Sequence, residues 1–183
     1  MKSMVMQVRC SLILSLAFVL PSTGAQVTDD INKSSREFVE RFYQWYVPSL
    51  LHRGRFRSWN IALRYKRSAF SPQLIELLTA NSDAQAACRD LVGLDFDPFL
   101  TYQDVAERYV VGKIAQKGQA YEADIHAVRS GEQGEKPDVT AEFVEKDGQW
   151  FFVNFHYPDG DDLVTILKSP RPPCSRPRRP NLR

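Results

Sequence analysis

The sequence predicts an α+β domain, with N-terminal helices packed on a curved four-stranded antiparallel sheet. Three observations carry this expectation. Residues 34–50 and 71–91 repeat apolar side chains at helical spacing, whereas from Tyr109 onward the period changes to two. The dipeptide Asp147-Gly148 then joins the last two alternating segments as a hairpin. Helices first and strands afterwards is the order of an α+β architecture, with the helices gathered on one sheet face. A curved sheet wrapped round the first helix makes a cone with one open end, and such mouths are common ligand sites.

The first 25 residues are of different material. Lys2 and Arg9 are basic, and no acidic residue precedes Asp29. An apolar run occupies 12–20, followed by Pro21 and the small residues Ser22, Thr23, Gly24 and Ala25. This is the make-up of a secretory signal peptide, here cleaved after Ala25. The run is shorter than the ~20 apolar residues that span a bilayer. An uncleaved anchor and a buried N-terminal helix are the alternatives. Cys10 stands before the apolar run, the wrong side for lipid attachment. Export places the protein in the periplasm or outside the cell, with no stable membrane insertion of the mature chain. One domain over 26–168 and an Arg/Pro-rich tail over 169–183 then remain.

Loss of the leader leaves two cysteines, Cys88 and Cys174. An oxidising compartment makes them a candidate disulfide. Two unpaired thiols are the equal alternative at this point. Charge is segregated along the chain. Between 41 and 75 there are seven basic residues and no acidic one, while 76–167 carries eighteen acidic against seven basic. The domain without its tail is therefore mildly acidic, which excludes a general nucleic-acid binder.

Each element has its own signal. In the first helix Ser34 and Glu37 have capping-box spacing. Phe38, Phe42, Trp45 and Ser49 recur at helical intervals, widened by Val39, Tyr43 and Tyr46, until Pro48 ends or kinks the helix. Residues 52–70 mix arginines with Phe56, Trp59 and Tyr65 and read as a basic loop leading to a short helix, with phosphate or anionic-lipid contact as the alternative. Ser71-Pro72 opens the next helix as cap and first turn. Asp97-Pro98 predicts a short helical turn ending near Arg108. Strands follow over 109–116 and 121–128, joined by Lys117-Gly118, with Tyr121, Ala123, Ile125 and Ala127 on one face and Glu122, Asp124 and His126 on the other. A polar loop over 131–137 precedes the hairpin 139–146 and 149–157. Residues 163–168 form a closing element, read as a short helix capped by Asp162, with a fifth strand as the alternative. The last fifteen residues hold five prolines and five arginines and are expected to stay extended or disordered.

Four pieces in order carry a family resemblance: Phe42-Tyr43-Gln44-Trp45-Tyr46; Leu94-Asp95-Phe96-Asp97-Pro98-Phe99-Leu100 with Gln103-Asp104; Val111-Gly112; and Trp150 through Asn154-Phe155-His156-Tyr157-Pro158. With Asp162-Leu163 and Ile166-Leu167-Lys168 they resemble the exported bacterial family catalogued as domain of unknown function 3828, over roughly residues 36–168. The resemblance implies an NTF2-like or cystatin-like α+β fold. It brings neither an activity nor catalytic residues.

The sharpest candidate chemistry surrounds His156. Strict alternation from Gln149 puts Trp150, Phe152, Asn154 and His156 on one strand face and Phe151, Val153, Phe155 and Tyr157 on the other. Asp95, Asp97 or Asp104, brought near by the fold, would orient the imidazole and raise its basicity. Asp95 and Asp97 also suggest a hard cation, but turn formation and capping explain them more cheaply. Glu122, Asp124 and His126 read as a solvated face. No cysteine-rich zinc spacing, glycine-rich phosphate loop or GxSxG elbow is present. No cofactor is predicted.

These residues support three functions. The first is an exported binding or interaction module for a small ligand or protein, with no catalysis. In it Trp45, Tyr46, Trp150 and Phe152 give apolar contact, and His156 and Asn154 polar specificity. The second is an envelope hydrolase or lyase with His156 as general base. The third is an inhibitor or immunity-like factor docking through the basic loop 52–67.

Overall fold

The computed structural model describes residues 23–50, 58–89, 92–101, 105–170 and 173–176, with side chains from Asp30 onward. Residues 1–22 of the expected leader, the 51–57 half of the basic loop and Asp104 therefore lie outside the described residues. No helix among the described residues is long and apolar enough to cross a membrane.

The chain runs α1 (Thr23–Leu50), α2 (Asn60–Tyr65), a 3-10 turn (Arg67–Ala69), α3 (Pro72–Ala87), β1 (Arg108–Lys117), β2 (Ala120–Arg129), β3 (Glu132–Gln133), β4 (Val139–Lys146), β5 (Gln149–His156) and α4 (Leu163–Lys168). The architecture is α+β. Four antiparallel strands lie in the order β1-β2-β4-β5, and the short β3 adds to β2.

Local chemistry explains most boundaries. Ser71 caps α3 by accepting the Leu74 N–H at 3.2 Å, with Pro72 at the first turn, as its sequence predicts. Asp162 caps α4 in the same way through Thr165 N–H at 3.0 Å. Asp147 and Gly148 both take positive φ, the pair of left-handed residues that a two-residue hairpin needs to match strand twist. Residues 131–137 are not all loop. Ser130 and Gly131 make a second tight turn, and Glu132 and Gln133 pair back onto β2.

Two expectations about helices change. α1 runs through this stretch as Thr23–Leu50, so Ser34 and Ser35 are interior residues whose hydroxyls donate back to the Ile31 and Asn32 carbonyls. A capping box needs a chain that enters the helix there, and here the helix already runs through. Asp97-Pro98 starts no helix. Residues 98–100 form a turn that Thr101, at φ 71, leaves in the left-handed region.

The core is aromatic and sits between α1 and the inner face of the sheet. Val39, Phe42, Tyr43, Tyr46, Val47 and Leu50 form the buried stripe of α1, so Phe38 and Trp45 flank the stripe rather than centre it. Opposite them lie Phe70, Phe99, Phe143, Phe152 and Phe155, each nearly or wholly inaccessible. The Arg36 guanidinium ties α1 to β1, donating to the carbonyls of Val111 and Gly112 at 2.9 and 2.8 Å. Those carbonyls stand where a bulge breaks the β1–β2 register between Val111 and Ile114. Gly112 is needed there because a Cβ would sit 2.8 Å from the His126 ring nitrogen Nε2.

Candidate functional site

A second bulge decides the fate of the predicted pocket. β4 pairs Phe143 with Phe152 but Glu142 with Asn154, leaving Val153 as the extra residue on β5. One inserted residue reverses the parity of everything after it. Trp150 and Phe152 face the core side, and Phe155 and Tyr157 now join them there, with Phe152 and Phe155 rings 5.2 Å apart. Asn154 and His156 are thrown to the outer face. The expected single face of Trp150, Phe152, Asn154 and His156 is therefore split in two.

On the outer face His156 Nε2 lies 2.9 Å from a Glu142 carboxylate oxygen, both side chains partly exposed. Thr140, not Glu142, is the residue directly across from His156, so this contact is diagonal. Asn154 acts as a bracket. Its amide donates to Asp162 at 2.8 Å, and its carbonyl oxygen accepts the Phe155 and Val164 N–H groups. Burial alone would raise the Asp162 carboxyl, but hydrogen bonds from Thr165 and Asn154 hold it below its ordinary value. Asn154 thus fixes α4 against β5.

The two aspartates of 95–97 part company. Asp95 is exposed and Asp97 is 5% exposed. Asp97 accepts the Tyr46 hydroxyl at 2.6 Å and the Phe99 N–H at 2.9 Å. Two further tyrosines hold the same turn, Tyr43 donating to Phe99 O at 3.0 Å and Tyr157 to Pro98 O at 3.1 Å. Burial lifts the hydroxyl pKa of Tyr43, Tyr46 and Tyr157 well above the usual tyrosine range, with the Asp97 charge adding to it. Within the predicted set the structure brings Tyr46 and Asp97 into direct polar contact, and they lie inside the core. This knot is built to hold a turn.

Burial also pushes Asp97 up to about 6, against hydrogen bonds from Tyr46 and the 99–100 amides that favour the anion. The sign follows. A carboxyl easier to protonate when folded adds stability fully below its unfolded value, and that stability is lost as pH rises through about 6. Comparing the wild type with Asp97→Asn by urea unfolding from pH 4 to 8, the wild type should lose about 3 kcal/mol relative to the variant across that range. A difference that stays flat with pH would exclude a raised pKa for the buried Asp97.

His126 is not on a solvated face. It is 7% exposed, covered by the 131–137 segment, with Nδ1 3.0 Å from Gly134 O. Cys88 and Cys174 are bonded, joining the end of α3 to the C-terminal tail. Arg89 N–H donates to Arg176 O beside the bond, so residues 173–176 are anchored where a disordered tail was expected.

Trp45 and Trp150 border open surface. Lys66 Nζ lies over the Trp45 ring at 5.3 Å. A groove of about 470 Å³ opens between α1, the Arg67–Ala69 turn and the β4–β5 hairpin, lined by Phe38, Arg41, Lys66, Ala69, Gln149 and Trp150 among others. A second, of about 420 Å³, lies between α1 and the start of β1, where Glu40 and Glu107 offset Arg108. Sequence reasoning missed Glu142 and Arg41 and took Lys66 only as part of the basic loop. Glu142 was hidden by the bulge.

No protein-family model matches this chain, and no curated protein matches it. Among solved structures it is similar to a protein of unknown function from Bacteroides thetaiotaomicron VPI-5482, with 22% identity, a TM-score of 0.49, and coverage of 73% of this chain and 98% of that one.

Proposed function

We propose that this chain is an exported, non-catalytic binding module on an NTF2-like cone, related to the family of domain of unknown function 3828. The observation that carries the reading is the use of its polar groups. Asp97 is spent on a turn, Asn154 on fixing α4, and His126 on holding the 131–137 segment, while open grooves flank α1. Support for the cone comes from the two bulges, which bend β1 and β5, and from the aromatic face of α1 seated against the sheet. The residues quoted for the family meet in space: Tyr43, Tyr46 and Tyr157 all converge on the 97–99 turn. Cleavage after Ala25 would leave α1 intact from Gln26. The disulfide fits an oxidising compartment.

A second reading has one specific observation behind it. Glu142 beside His156 is a carboxylate–imidazole pair, the arrangement of an oriented general base in a hydrolase or lyase. His156→Ala decides between them. In the binding-module reading the variant and wild type show the same background on chromogenic ester, phosphate and glycoside substrates. Loss of this partly exposed side-chain contact should also cost under about 1 kcal/mol in thermal unfolding. Turnover by the wild type that vanishes in His156→Ala would overturn the module and establish the enzyme.

A further inference from the structure

We propose that the groove beside Trp150 is a binding site for a small organic anion with a planar apolar body, an aryl carboxylate being the simplest form. The proposal rests on the binding-module reading and names its ligand class. Its volume of about 470 Å³ lies in the range of small-molecule sites. Three elements bound it: α1 supplies Phe38 and Arg41, the Arg67–Ala69 turn with its preceding residue supplies Lys66 and Ala69, and the β4–β5 hairpin supplies Gln149 and Trp150.

Charge selects the anion. Arg41 and Lys66 are the ionisable residues of the lining, and both are cations. Among the described residues neither makes an ion pair. Arg41 uses Nε to donate to Glu37 O at 3.1 Å, which steadies the side chain and leaves its terminal fork of N–H groups for a carboxylate. Lys66 is held over the Trp45 ring, where the ring face steadies the ammonium but does not neutralise it. Arg64 and Arg67, both exposed on the adjoining segment, add positive charge on this side, while Glu145 and Asp147 stand at the hairpin rim.

Ring orientation selects the planar body. Trp150 is half-buried and fixed on three sides, by edge contacts with Tyr121 and Phe143 and by its Nε1–H donating to Ser34 Oγ at 3.3 Å. Phe38 is held against Phe152 at 4.6 Å between ring centres. Both rings are thus set before a ligand arrives, so binding loses little side-chain freedom. Preset aromatic surface next to two unneutralised cations is a receptor for charge on a flat hydrophobe.

The test uses the full oxidised chain and 2-naphthoate, followed by two-dimensional amide NMR and indole fluorescence. Saturable shifts are expected at Ser68, Ala69, Gly148 and Gln149, with quenching of Trp150. Uncharged 2-naphthamide should bind about tenfold more weakly, and Arg41→Gln and Lys66→Gln should each weaken naphthoate about fivefold to tenfold. Gln149 is exposed at the rim, so Gln149→Lys and Gln149→Glu keep the fold and should shift affinity in opposite directions, tighter and weaker. The proposal is overturned by shifts that do not saturate or that map to another face. Equal binding of acid and amide, or equal affinity of the two Gln149 variants, overturns it as well. Such a failure is separate from failure of the module itself, which falls only on His156-dependent turnover.

Discussion

Phe42→Ala should remove about 3–5 kcal/mol of stability, measured as a lowered urea midpoint with an unchanged slope. Phe42 is 3% exposed and stands at the centre of the core. Its ring stacks on Tyr46 at 5.2 Å and meets Phe70, Phe99 and Phe152 edge-on at 5.6, 5.6 and 5.0 Å. Those partners come from the turn before α3, the 97–101 turn and β5, so no one element can move in to refill the space. The penalty should therefore approach the full transfer and cavity cost, a large share of the ~5–15 kcal/mol that holds a domain of this size together. Phe38→Ala is the control. That ring lies on the flank of the stripe and is only partly buried, so its loss should cost clearly less. Equal penalties at 38 and 42 would mean that the core is not centred on Phe42.

Cutting the Cys88–Cys174 bond should cost about 4 kcal/mol. The two residues are 86 apart in sequence, and closing so long a loop removes much of the freedom of the unfolded chain. The structure adds an enthalpic share, because the bond keeps Arg89 N–H on Arg176 O. A Cys88→Ser, Cys174→Ser double variant, compared with the oxidised wild type by thermal and urea unfolding, gives the magnitude. Intact-mass measurement without reductant gives the redox state. A variant as stable as the oxidised protein would show that the tail is tethered without stabilising the fold.

Much of the fold was legible because its signals are local. Ser71-Pro72 and Asp162 mark helix starts through side chains that reach backbone amides within three residues. Asp147-Gly148 marks its hairpin through φ alone, and β2 shows its faces because alternation along a strand needs no knowledge of the partner. The cysteine pairing was reachable as an even alternative but not as a choice, since spacing says nothing of where a tail returns.

The sequence by itself determined the α+β order, the aromatic side of α1 and the inner face of β2. Tertiary structure alone decided that α1 runs through Ser34, which aspartate of 95–97 is buried, and that His156 faces outward beside Glu142. For His156 the physical reason is the bulge at Val153. It is one residue inserted where β5 bends to meet both β4 and the segment around Phe70, whose partner Ser71 N–H reaches Phe152 O at 2.9 Å. A strand's period is written in its own residues, but the place where that period slips is set by neighbours far away in the chain.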